Sequence, residues 1–160
     1  MNTSLKIKLW LVFFIAGLFL SGVTAFPLAA EVEILNNLFG FNTYFGQHFP
    51  NFSFWITHIF NGVTETAAKY PFIFYGTDWL AFIHIMLAIL FIGALRDPVK
   101  NIWIIEFGII ACVLVVPFAF ICGPIRGIPF YWTLIDCSFG VIGVIPLLIV
   151  RKLIKSLPVS

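Results

Sequence analysis

The sequence contains little charge. Only 10% of its 160 residues are charged, whereas 61% are hydrophobic. A soluble domain needs a polar surface, and this composition does not supply one. The net charge of +2 comes without a run of basic residues, which argues against a nucleic-acid partner. The scarcity of charge therefore predicts a protein whose solvent is the hydrocarbon of a membrane.

The sequence also lacks the residue clusters of common membrane enzymes. Its three cysteines form no CxxC pair, and its three histidines form no HExxH motif. It has no glycine-rich phosphate-binding loop, and His84 has no second histidine in the apolar stretches with which to hold a haem. We therefore expect neither a metal ion nor another cofactor.

Four long apolar stretches are what the sequence does contain. They cover about residues 9–29, 77–95, 102–123 and 129–150, and each is close to the ~20 residues that a helix needs to cross a bilayer. They predict an all-α membrane protein with a four-transmembrane-helix bundle, in which residues 1–160 form a single integral membrane domain. For the first stretch a cleaved signal peptide is the alternative, because Lys6 and Lys8 precede it and Val23-Thr24-Ala25 fits a cleavage site.

The positive charges predict an orientation. Seven of the nine Lys and Arg residues fall on one predicted side of the membrane: Lys6, Lys8, Arg96, Lys100, Arg151, Lys152 and Lys155. By the positive-inside rule this side is cytoplasmic, so both termini are expected in the cytoplasm. The sequence shows no retention signal, and a bacterial inner membrane is the simplest predicted location. The spans are expected to contact membrane lipid.

The outer loop, about residues 30–76, is the one long connection. Apolar residues recur in it at helical spacing: Trp55, Ile56, Ile59, Phe60, Val63 and Ala67. Polar residues fall on the opposite side, and Asn51 or Ser53 is available as the N-cap. The pattern predicts an amphipathic helix that lies on the outer membrane surface or packs on the outer end of the bundle. Trp55 and Phe60 are the residues through which we expect this loop to contact a protein partner.

Two ionisable residues within the spans are the candidate catalytic residues. His84 lies about six residues into the second stretch from its outer end and Asp136 about seven into the fourth, so both are expected roughly 10 Å below the outer surface. A histidine beside a carboxylate can hold or transfer a proton. The alternative is an interhelical hydrogen bond that only holds the bundle together.

The predicted ligand-binding residues surround this level: Thr24, Asp78, His84, Arg126, Tyr131, Trp132 and Asp136. Asp78 has a second interpretation as an acid that stabilises the start of a helix. Glu106, near the inner end of its span, is expected to form an ion pair with Arg96, Lys100 or Arg151.

Two functions fit the sequence. The first is a structural or accessory membrane subunit, which the absence of a catalytic motif favours. The second is a binder or enzyme of a lipophilic small molecule or lipid, with an outer-half pocket around His84 and Asp136.

Overall fold

The structure, a computed structural model, describes residues 2–157, which are almost entirely helical and contain no β-strand. The α-helices of this described part, in chain order, are α1 (Thr3–Ala25), α2 (Leu28–Phe39), α3 (Tyr44–His48), α4 (Pro50–Lys69), α5 (Tyr75–Arg96), α6 (Ile102–Ile125) and α7 (Phe130–Lys155). A short 3₁₀ helix, Pro71–Phe74, leads directly into α5.

Four segments are long and apolar enough to cross a membrane: Thr3–Ala25, Pro71–Arg96, Ile102–Ile125 and Phe130–Lys155. No more than 33% of the most apolar stretch of any of them is buried inside the protein. Large side chains such as Phe118 and Phe139 are 68% and 70% exposed. Exposure of this much apolar surface is unfavourable in water, whereas lipid chains accommodate it. The chain is therefore an integral membrane protein.

The first span ends earlier than predicted. Helix α1 stops at Ala25 rather than at residue 29, and Leu28 already belongs to α2. Pro27 is the reason, because it has no N–H for the helical ladder and its ring would clash with the carbonyl of Val23. Its own carbonyl accepts the Glu31 N–H at 2.9 Å, which starts the next helix.

The long connection between the first two spans contains a 20-residue helix, α4. Its N-cap is Phe49, with Pro50 at the first helical position, so the prediction of Asn51 or Ser53 as N-cap was wrong. Proline is well suited to the first position, since the N–H that it lacks has no partner there in any case. Ile56 is buried, and His58 is exposed. The location of α4 on the membrane surface stays a prediction.

The described chain divides into two compact units. Unit 1 comprises the described residues up to Gly17 and from Leu87 onward, and unit 2 comprises Leu18–Met86. The expected single-domain organisation stays a prediction.

Unit 2 contains the helices of the long connection between the first two spans. Helices α2 and α3 both pack against α4. The Thr57 hydroxyl donates to the Asn36 side-chain oxygen at 2.8 Å and accepts the Phe41 N–H at 2.9 Å. This hydrogen-bonded link fixes the end of α2 and the following turn to the middle of α4.

Unit 1 is built around the α6–α7 helix pair. Glycines let the two helices approach closely, because a Cβ added to Gly140 would lie 2.5 Å from the Cys112 carbonyl oxygen and one added to Gly123 would lie 2.8 Å from the Thr133 Oγ1. Close backbone approach is the usual means of packing helices in lipid, where there is no hydrophobic drive for helix association.

Candidate functional site

A cavity of about 410 Å³ lies in unit 2. It is bordered by the turn after α1 and the start of α2, by the end of α4, by the 3₁₀ helix and by the first turn of α5. The lining residues are Phe26, Pro27, Leu28, Ala29, Ala30, Ala67, Pro71, Phe74, Thr77 and Asp78. The cavity is open on one side, and several of its lining residues, such as Phe26 and Pro71, are exposed.

Two prolines shape this cavity. Pro27 separates α1 from α2, and Pro71 starts the 3₁₀ helix after α4 has ended with the Tyr70 N–H donating to the Thr66 carbonyl at 2.7 Å. The 3₁₀ helix continues into α5, which brings Thr77 and Asp78 to the cavity in the first turn of that helix. Asp78 thus lies in the first turn of α5, and its stabilisation by the positive end of the helix dipole stays a prediction.

Asp78 provides the single charged side chain among the ten lining residues, and eight of the others are Phe, Pro, Leu or Ala. It is half-buried, and within residues 2–157 its carboxylate has no hydrogen bond or ion pair. A carboxylate between apolar walls is stabilised by a positive charge or by hydrogen-bond donors. The cavity therefore suits an apolar molecule that has a cationic or hydrogen-bond-donating group at one end.

His84 and Thr24 also belong to unit 2, but neither lines this cavity. The Nδ1 of His84 donates to the Leu80 carbonyl at 2.8 Å, so Nδ1 holds the proton and Nε2 is the nitrogen that can accept one. The Thr24 hydroxyl donates to the Leu20 carbonyl at 3.0 Å. Each of the two side chains thus makes a hydrogen bond within its own helix.

The other predicted ligand-binding residues lie in unit 1, at the connection between α6 and α7 and on α7. The connection forms a Schellman motif, in which Gly127 has a φ of +68° and the Ile128 N–H donates to the Gly123 carbonyl at 2.9 Å. Arg126 is exposed at this turn, and Tyr131 and Trp132 follow in the first turn of α7. The sequence Arg-Gly-Ile-Pro therefore has a structural explanation as a helix end and a new helix start.

Asp136 lies about 9 Å along α7 from its start. It is half-buried, and in the described part of the chain its carboxylate makes no hydrogen bond or ion pair. Glu106 differs, because its carboxylate accepts from Arg151 Nε at 2.9 Å. The predicted ion pair of Glu106 is thereby confirmed, with Arg151 as the partner.

The predicted ligand-binding residues are thus divided between the two units. Thr24, Asp78 and His84 belong to unit 2, and Arg126, Tyr131, Trp132 and Asp136 belong to unit 1. A pocket shared by His84 and Asp136 stays a prediction. Of the residues that line the cavity, Asp78 alone is predicted from the sequence to bind a ligand. The sequence features that could have indicated the other lining residues are Pro27 and Pro71, because a proline interrupts a helix and marks a change of chain direction.

Among residues 2–157, no group of three or more His, Cys, Asp or Glu side chains could hold a metal ion. No protein-family model, curated protein or solved structure matches this chain. The cavity and its carboxylate are therefore the basis for a functional proposal.

Proposed function

We propose that this integral membrane protein binds a lipophilic small molecule or a lipid in the cavity of unit 2, with Asp78 holding the polar end of the ligand. The half-buried Asp78 carboxylate in a mostly apolar cavity of about 410 Å³ supports this function. The apolar walls favour a ligand with apolar groups, because contact with the walls removes those groups from water. The carboxylate favours a ligand with an amine, hydroxyl or amide N–H group.

The test compares the small molecules that co-purify with wild-type protein and with two variants in mild detergent. Asp78→Asn removes the charge with little change of volume, and Ala67→Phe fills the cavity. We expect mass spectrometry to find a stoichiometric lipophilic compound in the wild type. Asp78→Asn should reduce it about tenfold or more, since a hydrogen bond to a charged group contributes about 1.5–3 kcal/mol.

Asp97→Asn is the matched control, because Asp97 is an acid of the α5–α6 connection and does not line the cavity. It should retain the compound. Thermal unfolding of each variant shows whether the protein is still folded. Identical extracts of bulk lipid from the wild type and both cavity variants would contradict the proposal.

Proton transfer by the candidate catalytic residues His84 and Asp136 is a prediction separate from binding in this cavity. His84 does not line the cavity, and Asp136 belongs to unit 1. His84→Gln and Asp136→Asn should therefore leave the compound in the cavity unchanged, and its loss from either variant would contradict the assignment of the binding site to the Asp78 cavity.

A second candidate function, a structural or accessory membrane subunit, is favoured by aromatic side chains exposed outside the four spans or at their ends. Tyr44 and Phe54 are 79% and 63% exposed, and Phe72 is 73% exposed. Trp55 and Phe60, which the sequence predicts to contact a protein partner, are half-buried. A membrane protein partner would cover the exposed aromatic rings, and Tyr, Trp and Phe are the residues that enrich such interfaces.

The subunit function predicts a complex in the native membrane. Gently solubilised wild-type protein should have a mass well above 18.1 kDa after subtraction of detergent and lipid. The double change Phe54→Ser and Phe72→Ser should release the free chain, whereas the same change at the lipid-exposed Phe139 should not. A wild type that is monomeric and free of other proteins would contradict this function.

A further inference from the structure

The basic residues are concentrated in unit 1. Lys69 is the one Lys or Arg of unit 2, so eight of the nine belong to unit 1. Charges that gather in one part of a small membrane protein create a field strong enough to select among lipid headgroups. The positions of these residues on the helices therefore decide which lipid headgroups they can reach.

Contacts within unit 1 bring most of these residues to one end. Helices α5 and α6 are antiparallel, because Gly108 approaches the Phe91 ring and the Asn101 amide donates to the Gly93 carbonyl at 3.0 Å. Helices α6 and α7 are antiparallel as well, with Gly108 against Leu147 and Glu106 bonded to Arg151. The end of α5, the start of α6 and the end of α7 therefore meet.

Five basic residues lie at this end of unit 1: Arg96, Lys100, Arg151, Lys152 and Lys155. The start of α1 is expected on the same side of a membrane as the end of α5, because the two helices are consecutive spans, and this adds Lys6 and Lys8. We call these seven residues the cationic end.

Most of the cationic end is not neutralised within the protein. The Lys100 Nζ lies 3.5 Å from the Asp97 Oδ2, and the Arg151 Nε lies 2.9 Å from the Glu106 Oε1. In the described part of the chain the remaining five form no ion pair, and all are exposed: Lys6, Lys8, Arg96, Lys152 and Lys155. Five uncompensated positive charges surround the ends of apolar helices.

Tryptophans indicate the level of the membrane–water interface at this end. Trp103 lies in the first turn of α6 and is 65% exposed, and Trp10 lies shortly after Lys8 on α1 and is 36% exposed. Indole rings concentrate at the headgroup level of a bilayer. The charges next to them are thus at the depth of lipid phosphates.

We propose that the cationic end binds the headgroups of anionic phospholipids in preference to zwitterionic ones. An anionic headgroup has a net negative charge, whereas the ammonium group of a zwitterionic headgroup cancels the charge of its phosphate, so the five uncompensated cations attract the anionic lipid more strongly. This inference is independent of the cavity at Asp78, which lies in unit 2.

The test uses the full chain, reconstituted in nanodiscs with equal amounts of phosphatidylglycerol and phosphatidylcholine and then partly delipidated. Native mass spectrometry counts each retained lipid. We expect the wild type to retain at least about threefold more phosphatidylglycerol than phosphatidylcholine, and the ratio to fall with added salt as screening increases. The triple change Arg96→Gln, Lys152→Gln and Lys155→Gln should bring the ratio close to one.

The control is Lys69→Gln, which removes the one positive charge of unit 2 and should keep the wild-type ratio. Equal retention of both lipids by the wild type would overturn the proposal, as would an undiminished preference in the triple variant. Displacement of phosphatidylglycerol by soluble glycerol phosphate at the same concentration would also overturn it, because the site would then recognise free phosphate.

Discussion

At the residue scale, the acidic side chains of the two long helices α6 and α7 differ in one decisive respect. Glu106 on α6 has a cationic partner in Arg151, whereas Asp136 on α7 has neither an ion pair nor a hydrogen bond within residues 2–157. A charge in hydrocarbon is costly unless it is paired. Neutralising the two acids should therefore affect the stability of the protein in opposite directions.

Glu106→Gln should destabilise the protein. It leaves the Arg151 guanidinium without its counter-charge, and since the two side chains are 32% and 40% exposed we expect a loss of only about 1 kcal/mol. Thermal unfolding in detergent measures the loss. Glu65→Gln is the matched control, because the Glu65–Lys69 pair is 68% and 61% exposed and its removal should cost less than about 0.5 kcal/mol. An equal effect of both changes would contradict the special role of the Glu106 pair.

Asp136→Leu should leave the protein at least as stable as the wild type. Insertion scales give a free-energy cost of about 2.5–3.5 kcal/mol for an Asp at the centre of a membrane span. The Asp136 side chain is only half-buried, which lowers this cost. We therefore expect the variant to be more stable by on the order of 1 kcal/mol. The midpoint of thermal unfolding in detergent is the measurement. A clear drop in this midpoint would show instead that Asp136 holds the helices together through a hydrogen bond, which was the alternative interpretation of the sequence.

At the element scale, the spans were predictable and the cavity was not. An apolar run of about 20 residues is a local property, so the stretches predicted at 102–123 and 129–150 agree closely with α6 (Ile102–Ile125) and the main part of α7. The end of α1 was missed because the apolar composition continues past Pro27 although the helix cannot. The Asp78 cavity depends on the turn at Pro27 meeting the 3₁₀ helix, and this meeting leaves no periodic pattern in the sequence.

The packing of α6 on α7 depends on Gly140. Gly140→Ala would place a Cβ 2.5 Å from the Cys112 carbonyl oxygen and 3.3 Å from the Val115 Cβ, so the two backbones must separate. We expect a loss of about 1–3 kcal/mol, the usual cost of overpacking. Gly17→Ala is the control, because nothing lies within 4 Å of its added Cβ and alanine favours the helix. Denaturant or thermal unfolding in detergent compares the two, and equal stabilities would contradict close packing at Gly140.

At the scale of the whole molecule, charge is divided unequally along the chain. Unit 2 contains one basic residue, Lys69, and four acidic residues: Glu31, Glu33, Glu65 and Asp78. Unit 1 contains eight basic residues and three acidic ones. Positively charged loops are retained on the cytoplasmic side during insertion. The long loop should therefore be translocated, and both termini should remain inside.

Labelling of single cysteines tests this orientation. Cys112, Cys122 and Cys137 are first replaced by Ala, and one cysteine is then introduced at Glu65 or at Lys100, both of which are exposed. In intact bacterial cells, a membrane-impermeant maleimide should label Glu65→Cys and should reach Lys100→Cys only after the cells are disrupted. The reverse pattern would contradict this orientation, because it would place the seven basic residues of the cationic end outside the cytoplasm, contrary to the positive-inside rule.

The intact mass of the same purified protein decides between a retained α1 and a cleaved signal peptide. If α1 is retained, Lys6 and Lys8 remain part of the cationic end. If it is cleaved, the cationic end consists only of the basic residues of α5, α6, α7 and the α5–α6 connection.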